Sequence, residues 1–333
     1  MTGEQEGPNL WALSGLELPW CLRVVATLDI ADHIAAGLTS AADLAHAAGC
    51  DAAALERVLR RLAEAGIFTE PQTGSFALND AAEQLRADHP SGLRFILDQQ
   101  GIGGRLDGAW PTLLEAVRTG KAAYADRYGA SFWDDLAAHP DLAASFDALM
   151  GPAGHGEPDS DIPLSGGWEQ ARTVVDVGGG TGSLLAAVLR AQPQTRGVLV
   201  DLPGAVARSG PILQAAGVAE RVELVGQSFF EPLPAGADVY LLKSILSDWP
   251  DAEAEVILRR CAQAARPNGR VVLLNGVSPD ERRPAPELLM LVLVGGKDRS
   301  LSEFRALAGR AGLAVTAATL QSSGRYVVEL HAV

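Results

Sequence analysis

The spacing of hydrophobic and polar positions changes near residue 173, and this change divides the chain into two regions. Before it, apolar residues recur at helical spacing, as Leu18, Leu22 and Val25 do within a predicted helix over residues 9–36. After it, short apolar runs alternate with helix-like segments, which predicts a parallel sheet with helical crossovers. We therefore expect a mainly helical N-terminal region followed by an α/β domain.

Part of the first region has the outline of a winged helix. Ser40 can cap a helix over residues 41–48, and Asp51 can cap a second helix over residues 52–65. Residues 67–78 predict a short hairpin. A winged helix can recognise DNA, or it can be used for packing and dimerisation.

The charge distribution favours dimerisation. The chain has 333 residues and a net charge of −14, and residues 1–165 carry 10 basic and 24 acidic side chains against 17 of each in residues 166–333. Residues 38–88, which contain the winged-helix outline, hold four Arg and eight acidic residues. Because a phosphate-backbone binder needs clustered Lys and Arg, we expect no nucleic-acid partner.

The second region predicts a doubly wound sheet that ends in a hairpin. Residues 313–320 and 326–331 form two strands joined by a turn at residues 322–324, so they must pair antiparallel. The remaining strands are predicted at residues 174–177, 197–201, 221–225, 238–242 and 270–274, and the helices at residues 183–191, 204–216, 251–265 and 301–311.

A stretch rich in glycine and proline separates the two regions. Residues 151–167 hold five Gly and three Pro, through which a helix cannot run without losing hydrogen bonds. The stretch is either a linker or a shaped loop over a site. We expect a helical winged-helix domain over residues 1–105, a helical connector lining a substrate pocket over residues 106–165, and the α/β domain over residues 166–333.

The first strand of the sheet leads into the turn Asp176-Val177-Gly178-Gly179-Gly180-Thr181-Gly182. A P-loop would need a Lys before the residue that is Ser183 here, and a dinucleotide site would want a third glycine at that position. The remaining ligand is S-adenosylmethionine, whose sites place one acidic residue two positions before the first glycine and another at the end of the second strand. Asp176 and Asp201 stand there, and Asp201 can bind the two ribose hydroxyls.

The sequence has no pattern typical of a metal site or of a membrane-spanning segment. The three cysteines are far apart, no two histidines have ligand spacing, and we expect no metal site. The N-terminus lacks the features of a signal peptide, and the longest apolar run, residues 288–294, is too short to span a membrane. We therefore expect a cytoplasmic protein without a membrane partner.

Nearly the whole chain resembles a known family, the S-adenosylmethionine-dependent small-molecule O-methyltransferases of plant and actinomycete secondary metabolism. These enzymes pair a winged-helix dimerisation domain with a Rossmann-like class I methyltransferase domain, and the polyketide-tailoring branch that methylates naphthoic acid and related aromatic units is most similar. The resemblance rests on Ser131-Phe132-Trp133, residues 146–150, residues 176–182, residues 228–234, Tyr240-Leu241-Leu242-Lys243, Asp248-Trp249-Pro250-Asp251 and residues 295–300.

The resemblance implies a cofactor site for S-adenosyl-L-methionine or S-adenosyl-L-homocysteine and a homodimer formed through the N-terminal helices. Trp249 is either a core residue or a wall beside the adenine. The expected cofactor-binding residues are Asp176, Gly178, Gly180, Asp201, Leu202, Ser228, Phe229, Lys243 and Trp249, and the expected substrate-pocket residues are Trp133, Phe146, Met150 and Met290.

The expected catalytic positions depart from the family pattern. The family's general base is a His directly before the Asp-Trp pair, and this chain has Ser247 there. Asn275 stands where an acidic residue orients the base, and Asp298 keeps the third position. His155 is either a relocated base or an exposed loop residue, and Asp248 is interpreted as a helix cap in preference to a catalyst.

A serine hydroxyl without its own base does not accept a proton at neutral pH. A carboxylate or an acidified phenol needs no base, and proximity alone can methylate it. The sequence thus predicts an O-methyltransferase acting on an aromatic or polyketide-derived acceptor. The alternatives are a cofactor-dependent tailoring enzyme that transfers no methyl group, as some relatives without the His are, and a catalytically idle partner subunit.

Overall fold

The computed structural model describes residues 7–150, 170–321 and 326–333. The chain forms two compact units, Met1–Arg105 and Leu106–Val333. The division of the second unit into a connector and a separate sheet domain stays a prediction, because the glycine- and proline-rich stretch at residues 151–167 lies outside the described residues.

The first unit is mainly helical and carries one small hairpin, β1 and β2. An isolated bridge between Ser40 and Ser75 adds the segment before α4 to this hairpin. The elements are α1 (Leu10–Ser14), α2 (Glu17–Thr27), α3 (Ile30–Ala35), α4 (Ala41–Ala48), α5 (Ala52–Glu64), β1 (Thr69–Gln72), β2 (Ser75–Ala77), α6 (Asp80–Glu83) and α7 (Leu93–Leu97).

The two predicted helix caps of this unit are confirmed. The Ser40 side chain accepts a hydrogen bond from the Asp43 N–H, and the Asp51 side chain accepts one from the Ala54 N–H. Leu55, Leu59 and Leu62 of α5 are buried in the core of the unit. The helix predicted over residues 9–36 is wrong as a single element.

The apolar period of residues 9–36 continues through two breaks in the backbone. Gly15 is extended and Pro19 lies in the first turn of α2, where a missing N–H is tolerated. The second break is at Asp29, whose φ of 51° is left-handed and ends the helical path before α3. A hairpin forms as expected, although its first strand begins at Thr69, two residues later than predicted.

An exposed apolar face runs along α1 and α2. Trp11 has 89% of its surface exposed and Trp20 49%. Monomeric proteins rarely expose contiguous large apolar side chains, so a face of this kind indicates a partner surface. The other members of the face are Leu10, Leu13, Leu16 and Val24.

The second unit begins with short helices that lead to the sheet. Across the boundary between the units runs α8 (Ile102–Ala109), followed by a 3₁₀ turn at Trp110–Thr112. The next helices are α9 (Leu113–Thr119), α10 (Tyr124–Tyr128), α11 (Phe132–Ala138) and α12 (Pro140–Met150).

A seven-stranded sheet forms the centre of the second unit, in the order β10-β11-β7-β6-β3-β4-β5. Within this described sheet β11 runs antiparallel to the six other strands, as the hairpin prediction required. The strands are β3 (Thr173–Val177), β4 (Arg196–Asp201), β5 (Val222–Gly226), β6 (Val239–Lys243), β7 (Arg270–Leu274), β10 (Leu313–Leu320) and β11 (Tyr326–Ala332). A separate parallel pair joins β8 (Val277–Ser278) to β9 (Arg299–Ser300).

Helices cover both faces of the sheet and give it two apolar layers. One layer packs β3 residues Val175 and Val177 against α16 and α18, and the other packs Val174 against α13. Asp176 shares the parity of Val174, so it faces the α13 side. The helices are α13 (Ser183–Ala191), α14 (Pro203–Ala207), α15 (Gly210–Ala215), α16 (Asp251–Ala265), α17 (Leu288–Leu293) and α18 (Leu301–Arg310).

The Rossmann-like α/β class with a C-terminal hairpin is confirmed. The helix predicted over residues 204–216 is in fact two helices, because Pro211 cannot donate to the carbonyl four residues earlier and its ring would clash there. The predicted turn at residues 322–324 lies outside the described residues. Among the helices of the described ranges, none has the length and apolar character needed to cross a bilayer.

Candidate active site

The loops that carry the predicted site leave the carboxyl ends of the central parallel strands. The chain order reverses between β3 and β6, which are neighbours in the sheet. Loops at such a switch point diverge and leave a crevice, which is where open α/β sheets bind ligands. The glycine turn follows β3, and residues 244–249 follow β6.

The glycine turn folds over the buried carboxylate of Asp176. This side chain is 1% exposed, and its Oδ2 has no hydrogen-bond partner among the described residues. A Cβ on Gly179 would lie 2.5 Å from that oxygen, so the backbone can approach the carboxylate only at a glycine. The Asp176 carboxylate therefore packs directly against the backbone of the turn at Gly179.

Asp201 closes the turn from the neighbouring strand. Its Oδ2 accepts a hydrogen bond of 2.7 Å from the Gly180 N–H, and its Oδ1 accepts one of 2.7 Å from the Leu202 N–H. Each oxygen keeps a lone pair for a further donor. A Cβ on Gly180 would meet no atom within 4 Å, so the space in front of this residue is open.

The two carboxylates make this end of the sheet electrostatically negative. Burial raises the pKa of Asp176 to about 7, and the charge of Asp201 adds to the effect while Lys243 opposes it. Burial also raises the pKa of Asp201, against the two backbone N–H groups that stabilise its charge. A cation bound in the crevice would lower the electrostatic energy of both groups.

Side chains from the β5 and β6 loops pack against the same turn. A Cβ on Gly178 would lie 2.5 Å from Ile245 Cδ1 and 3.4 Å from Phe229 Cε1. Phe229 belongs to an aromatic group with Phe230 and Trp249, whose ring centroids are 4.9 to 5.8 Å apart. The structure thus brings Phe229 and Trp249 together beside the turn, and both side chains also pack against the buried core. The choice between a core residue and an adenine wall for Trp249 stays a prediction.

Ser228 has a hydrogen bond of its own. Its hydroxyl oxygen accepts from the Phe230 N–H at 3.3 Å, and the hydroxyl proton stays available to a ligand. Leu202 directly follows Asp201 and is 41% exposed.

Two glycines hold the predicted catalytic loop. Ser247 lies in a 3₁₀ turn, Leu246–Asp248. A Cβ on Gly276 would lie 3.4 Å from Ser247 Cβ, and one on Gly296 would lie 1.9 Å from the Ser247 carbonyl oxygen. The residues next to these glycines, Asn275 and the segment with Asp298, are thereby brought to the same loop.

Asn275 hydrogen-bonds to Ser244 instead of Ser247. Its Nδ2 donates to the Ser244 Oγ at 3.0 Å. Both residues have left-handed backbones, with φ of 70° at Asn275 and 56° at Ser244. Sequence reasoning missed Ser244, and no motif pointed to it.

The interpretation of Asp248 as a helix cap is wrong. Helix α16 has Pro250 at its N-cap position and no side-chain cap, because the chain runs extended through Pro250 and leaves Asp248 in the preceding turn. Burial raises the pKa of Asp248 to about 7, with a further contribution from the charge of Glu287.

Glu287 and Asp298 extend this group of carboxylates. Burial raises the pKa of Glu287, and the charge of Asp298 raises it further. Burial also raises the pKa of Asp298, which the Arg299 charge opposes. Glu287 was not predicted from the sequence, since it lies in a segment with no motif; its φ of 39° is a tertiary feature.

The predicted pocket residues belong to three helices. Trp133 and Phe146 pack edge to face at 5.8 Å between centroids, and Phe132 contacts both rings. The indole N–H of Trp133 has no acceptor in the described part of the chain. Met150 ends α12 and is 43% exposed, and Met290 is half-buried in α17.

One ion pair joins α12 to the end of α14, the helix that follows β4. The guanidinium of Arg208, directly after α14, donates to the Asp147 carboxylate of α12. His155, expected to be either a relocated base or an exposed loop residue, lies outside the described residues. Within residues 7–150, 170–321 and 326–333, no three His, Cys, Asp or Glu side chains are grouped so that they could hold a metal ion.

Comparison with known proteins matches both parts of the chain. An O-methyltransferase domain family covers residues 110–314, and an O-methyltransferase dimerisation domain family covers residues 11–88. The chain belongs to the O-methyltransferase family. The expected family and fold, including the N-terminal dimerisation domain, are confirmed.

Two individual relatives share most of their length with the chain. It is 46% identical over 312 residues to 2,7-dihydroxy-5-methyl-1-naphthoate 7-O-methyltransferase of Streptomyces carzinostaticus, covering 93% of each chain. It is 39% identical over 316 residues to aclacinomycin 10-hydroxylase RdmB of Streptomyces purpurascens, covering 91% of this chain and 83% of the relative.

A solved structure gives the same result. The O-methyltransferase NcsB1 of neocarzinostatin biosynthesis, in complex with S-adenosylmethionine and 2-hydroxy-5-methyl naphthoic acid, superposes with a TM-score of 0.91 at 43% identity. The match covers 98% of this chain and 100% of that one. The O-methyltransferase family uses S-adenosylmethionine, and the predicted cofactor is confirmed at that level.

The residues of this chain fit that cofactor. Asp201 offers two lone pairs to neighbouring hydroxyls, Gly180 faces open space, and the Asp176 Oδ2 is an unpaired acceptor behind the turn. The negative crevice suits a ligand that carries a sulfonium and an ammonium group. Which residues contact the cofactor stays a prediction.

Proposed function

We propose that this chain transfers the methyl group of S-adenosylmethionine to a hydroxyl of an aromatic or polyketide-derived small molecule of secondary metabolism. The observation that carries the proposal is the glycine turn held between the Asp176 and Asp201 carboxylates at the switch point of the sheet. The naphthoic acid bound to NcsB1, at 43% identity, supports the acceptor class.

The cofactor-binding roles follow from the positions of the loops. Asp201 accepts hydrogen bonds from the two ribose hydroxyls. The backbone of Gly178, Gly180 and Leu202 forms the surface beside them. The aromatic rings of Phe229 and Trp249, with the Ser228 hydroxyl, bind the adenine. Asp176 and Lys243 set the charge behind the turn, where Lys243 favours the ionised form of Asp176.

When bound, S-adenosylmethionine supplies an electrophilic methyl group on a positively charged sulfur. The chain's own residues orient the acceptor oxygen and keep water out. Holding two reactants in line can supply most of the required acceleration, about 7 to 11 kcal/mol at best. A strong base on the protein is unnecessary for an acceptor that arrives as an anion.

Residues around Ser247 handle the acceptor oxygen and its proton. The Ser247 hydroxyl orients the acceptor by a hydrogen bond, while Asn275 is held by Ser244 and supports the loop. Burial, with a further contribution from the charge of Glu287, raises the pKa of Asp248 to about 7, so its carboxylate can take up a proton near neutral pH. If the substrate hydroxyl arrives protonated, the Asp248 carboxylate is the group that takes up its proton.

The acceptor's ring system is proposed to lie against α11, α12 and α17. Trp133 and Phe146 supply an aromatic wall, and the unpaired Trp133 N–H can donate to an oxygen substituent. Met150 and Met290 adapt to the outline of the ligand, as flexible thioethers do.

The alternatives are less well supported. The hydroxylase RdmB is one of the relatives, but the naphthoate, mitomycin and aminohydroxybenzoate relatives are O-methyltransferases. The dimerisation domain makes the chain a homodimer-forming subunit, and we assign the exposed face of Trp11 and Trp20 to that contact. A cytoplasmic location is proposed because the relatives are biosynthetic enzymes.

The test is a transfer assay with methyl-labelled cofactor and a series of hydroxynaphthoic acids and phenols. Labelled methoxy product supports the proposal, with the corresponding methoxy compounds as inert controls. Conversion of the acceptor with the label retained on the cofactor would instead establish the non-methylating alternative. No conversion in a protein that binds the cofactor would indicate an idle subunit.

A further inference from the structure

Arg299 is a fully buried cation at the centre of the predicted catalytic loops. Its side chain is 1% exposed, whereas the carboxylate paired with it, Asp251, is 50% exposed. Burying an arginine costs free energy unless all of its donors are used. The contacts of this residue therefore indicate what it is kept for.

All three nitrogens of the Arg299 guanidinium are engaged. Nη1 donates to the Leu246 carbonyl at 2.7 Å, and Nη2 donates to the Trp249 carbonyl at 2.8 Å. Nε donates to Asp251 Oδ1 at 3.0 Å, and a longer contact of 3.3 Å joins Nη1 to the Lys297 carbonyl. The two short bonds to carbonyls bracket Ser247 and Asp248, one on each side.

The backbone of Arg299 contacts a further chain segment, the one that contains Asn275 and Gly276. Its N–H donates to the Gly276 carbonyl at 3.1 Å, and β9 pairs with β8 there. Gly276 follows Asn275, and Asp298 precedes Arg299. One residue thus connects the three chain segments that carry the catalytic positions Ser247, Asn275 and Asp298.

We propose that Arg299 is a positioning residue that holds the loop of residues 246–249, and with it Ser247 and Asp248, in place for the acceptor. The inference rests on the proposed methyl transfer. A planar fork with five N–H groups can bind two carbonyls and a carboxylate at once, which a lysine ammonium cannot do in the same geometry. Replacing Arg299 by Lys would remove these hydrogen bonds and let the loop move, while the positive charge is kept.

Two variants displace the loop by different means. Arg299→Lys keeps the positive charge and removes the two hydrogen bonds to the Leu246 and Trp249 carbonyls. Gly296→Ala displaces the loop while Arg299 is kept, because the added Cβ would lie 1.9 Å from the Ser247 carbonyl oxygen. The matched controls are Arg310→Lys, which affects an exposed ion pair with Glu255, and Gly309→Ala, where the Cβ meets nothing within 4 Å.

The measurements are kcat and KM for the acceptor, calorimetric cofactor affinity, thermal melting, and amide hydrogen exchange of residues 246–249. We expect kcat to fall at least tenfold in both loop variants, since a displacement near 1 Å can cost about 100-fold in rate. Cofactor Kd should rise by a smaller factor than kcat falls, because Trp249 is the one residue of this loop assigned to the cofactor, while the glycine turn and Asp201 lie on other segments. Exchange in Arg299→Lys should rise at least tenfold, and both controls should behave as wild type.

A folded Arg299→Lys protein with wild-type kcat, or with unchanged exchange at residues 246–249, would overturn the proposal. So would loss of stability without a change in the kcat of the folded fraction, which is what a purely structural arginine predicts. If Arg299→Lys does not fold, Gly296→Ala decides by the same kcat criterion. Should the wild type transfer no methyl group, the proposed function fails, and the exchange measurement still decides whether Arg299 holds the loop.

Discussion

Replacing Asp176 by Asn should stabilise the cofactor-free protein at alkaline pH. The carboxylate is 1% exposed, and one of its oxygens lacks a hydrogen-bond partner in the described residues. Burial first, and the charge of Asp201 second, raise its pKa from 3.8 to about 7. Asn has the same shape without the charge, so the variant removes the electrostatic penalty and leaves the packing under Gly179.

Proton linkage gives the direction and the size of the change in the free energy of unfolding with pH. Below pH 3.8 the carboxyl group is neutral in both states. Between pH 3.8 and 7 the unfolded chain releases the proton while the folded chain keeps it, so the free energy of unfolding falls as pH rises. Above pH 7 the loss is complete, at most about 4 kcal/mol. From pH 5.5 to 8 the wild type should lose about 2 kcal/mol that Asp176→Asn does not lose.

Urea unfolding of both proteins without cofactor, at pH 5.5 and 8, measures this difference. Comparing two pH values cancels pH-independent packing effects, and the titration of Asp248 is common to both proteins. Glu223→Gln, at an exposed position of β5 in the same sheet, is the matched control. With S-adenosylmethionine added, the variant should gain less stability than the wild type.

A stability advantage of Asp176→Asn that is equal at pH 5.5 and 8, or absent at both, would refute the reasoning. It would mean that the carboxylate is already ionised without penalty in the folded protein. An undiminished response to the cofactor would refute the second part, that the negative charge is kept for a cationic ligand.

Three further predictions concern the site and the dimer. Asp201→Ala should weaken cofactor binding by about 1.5 to 3 kcal/mol, because two charged hydrogen-bond acceptors are lost, and unchanged calorimetric affinity would contradict the ribose assignment. Ser247→His should raise the rate with a neutral phenol at least tenfold while leaving an ionised acceptor unaffected; equal rates for both proteins would show that the base is not limiting. Light scattering should give the mass of a dimer for the wild type and of a monomer for Trp11→Asp, whereas a monomeric wild type would contradict the assigned surface.

Much of the site could be predicted because its signals are local. A glycine is required where the backbone turns sharply or approaches a side chain, and the positive φ values at Gly178, Gly180 and Gly182 mark such a turn. The carboxylate at the end of the next strand, Asp201, follows from strand order alone. Helix caps such as Ser40 and Asp51 depend on residues three positions away, so the sequence determines them as well.

The interpretation of Asp248 shows where local reasoning fails. An acidic residue shortly before a helix suits a cap, but the path of the chain through Pro250 decides which residue occupies the cap position. The same applies to Asn275, whose amide meets Ser244, 31 residues earlier, because β6 and β7 are neighbours in the sheet. Neither partner has a sequence signal of its own.

The sequence by itself determined the order of the seven strands of the central sheet, the glycine turn and the two carboxylates beside it. Only the tertiary structure decided that Arg299 brackets Ser247 across about 50 positions, that Glu287 lies close enough to Asp248 to raise its pKa, and that Asp298 has the same effect on Glu287. The physical reason is that periodicity and turn chemistry act over a few residues. Burial and charge interactions depend on which distant segments the sheet brings together.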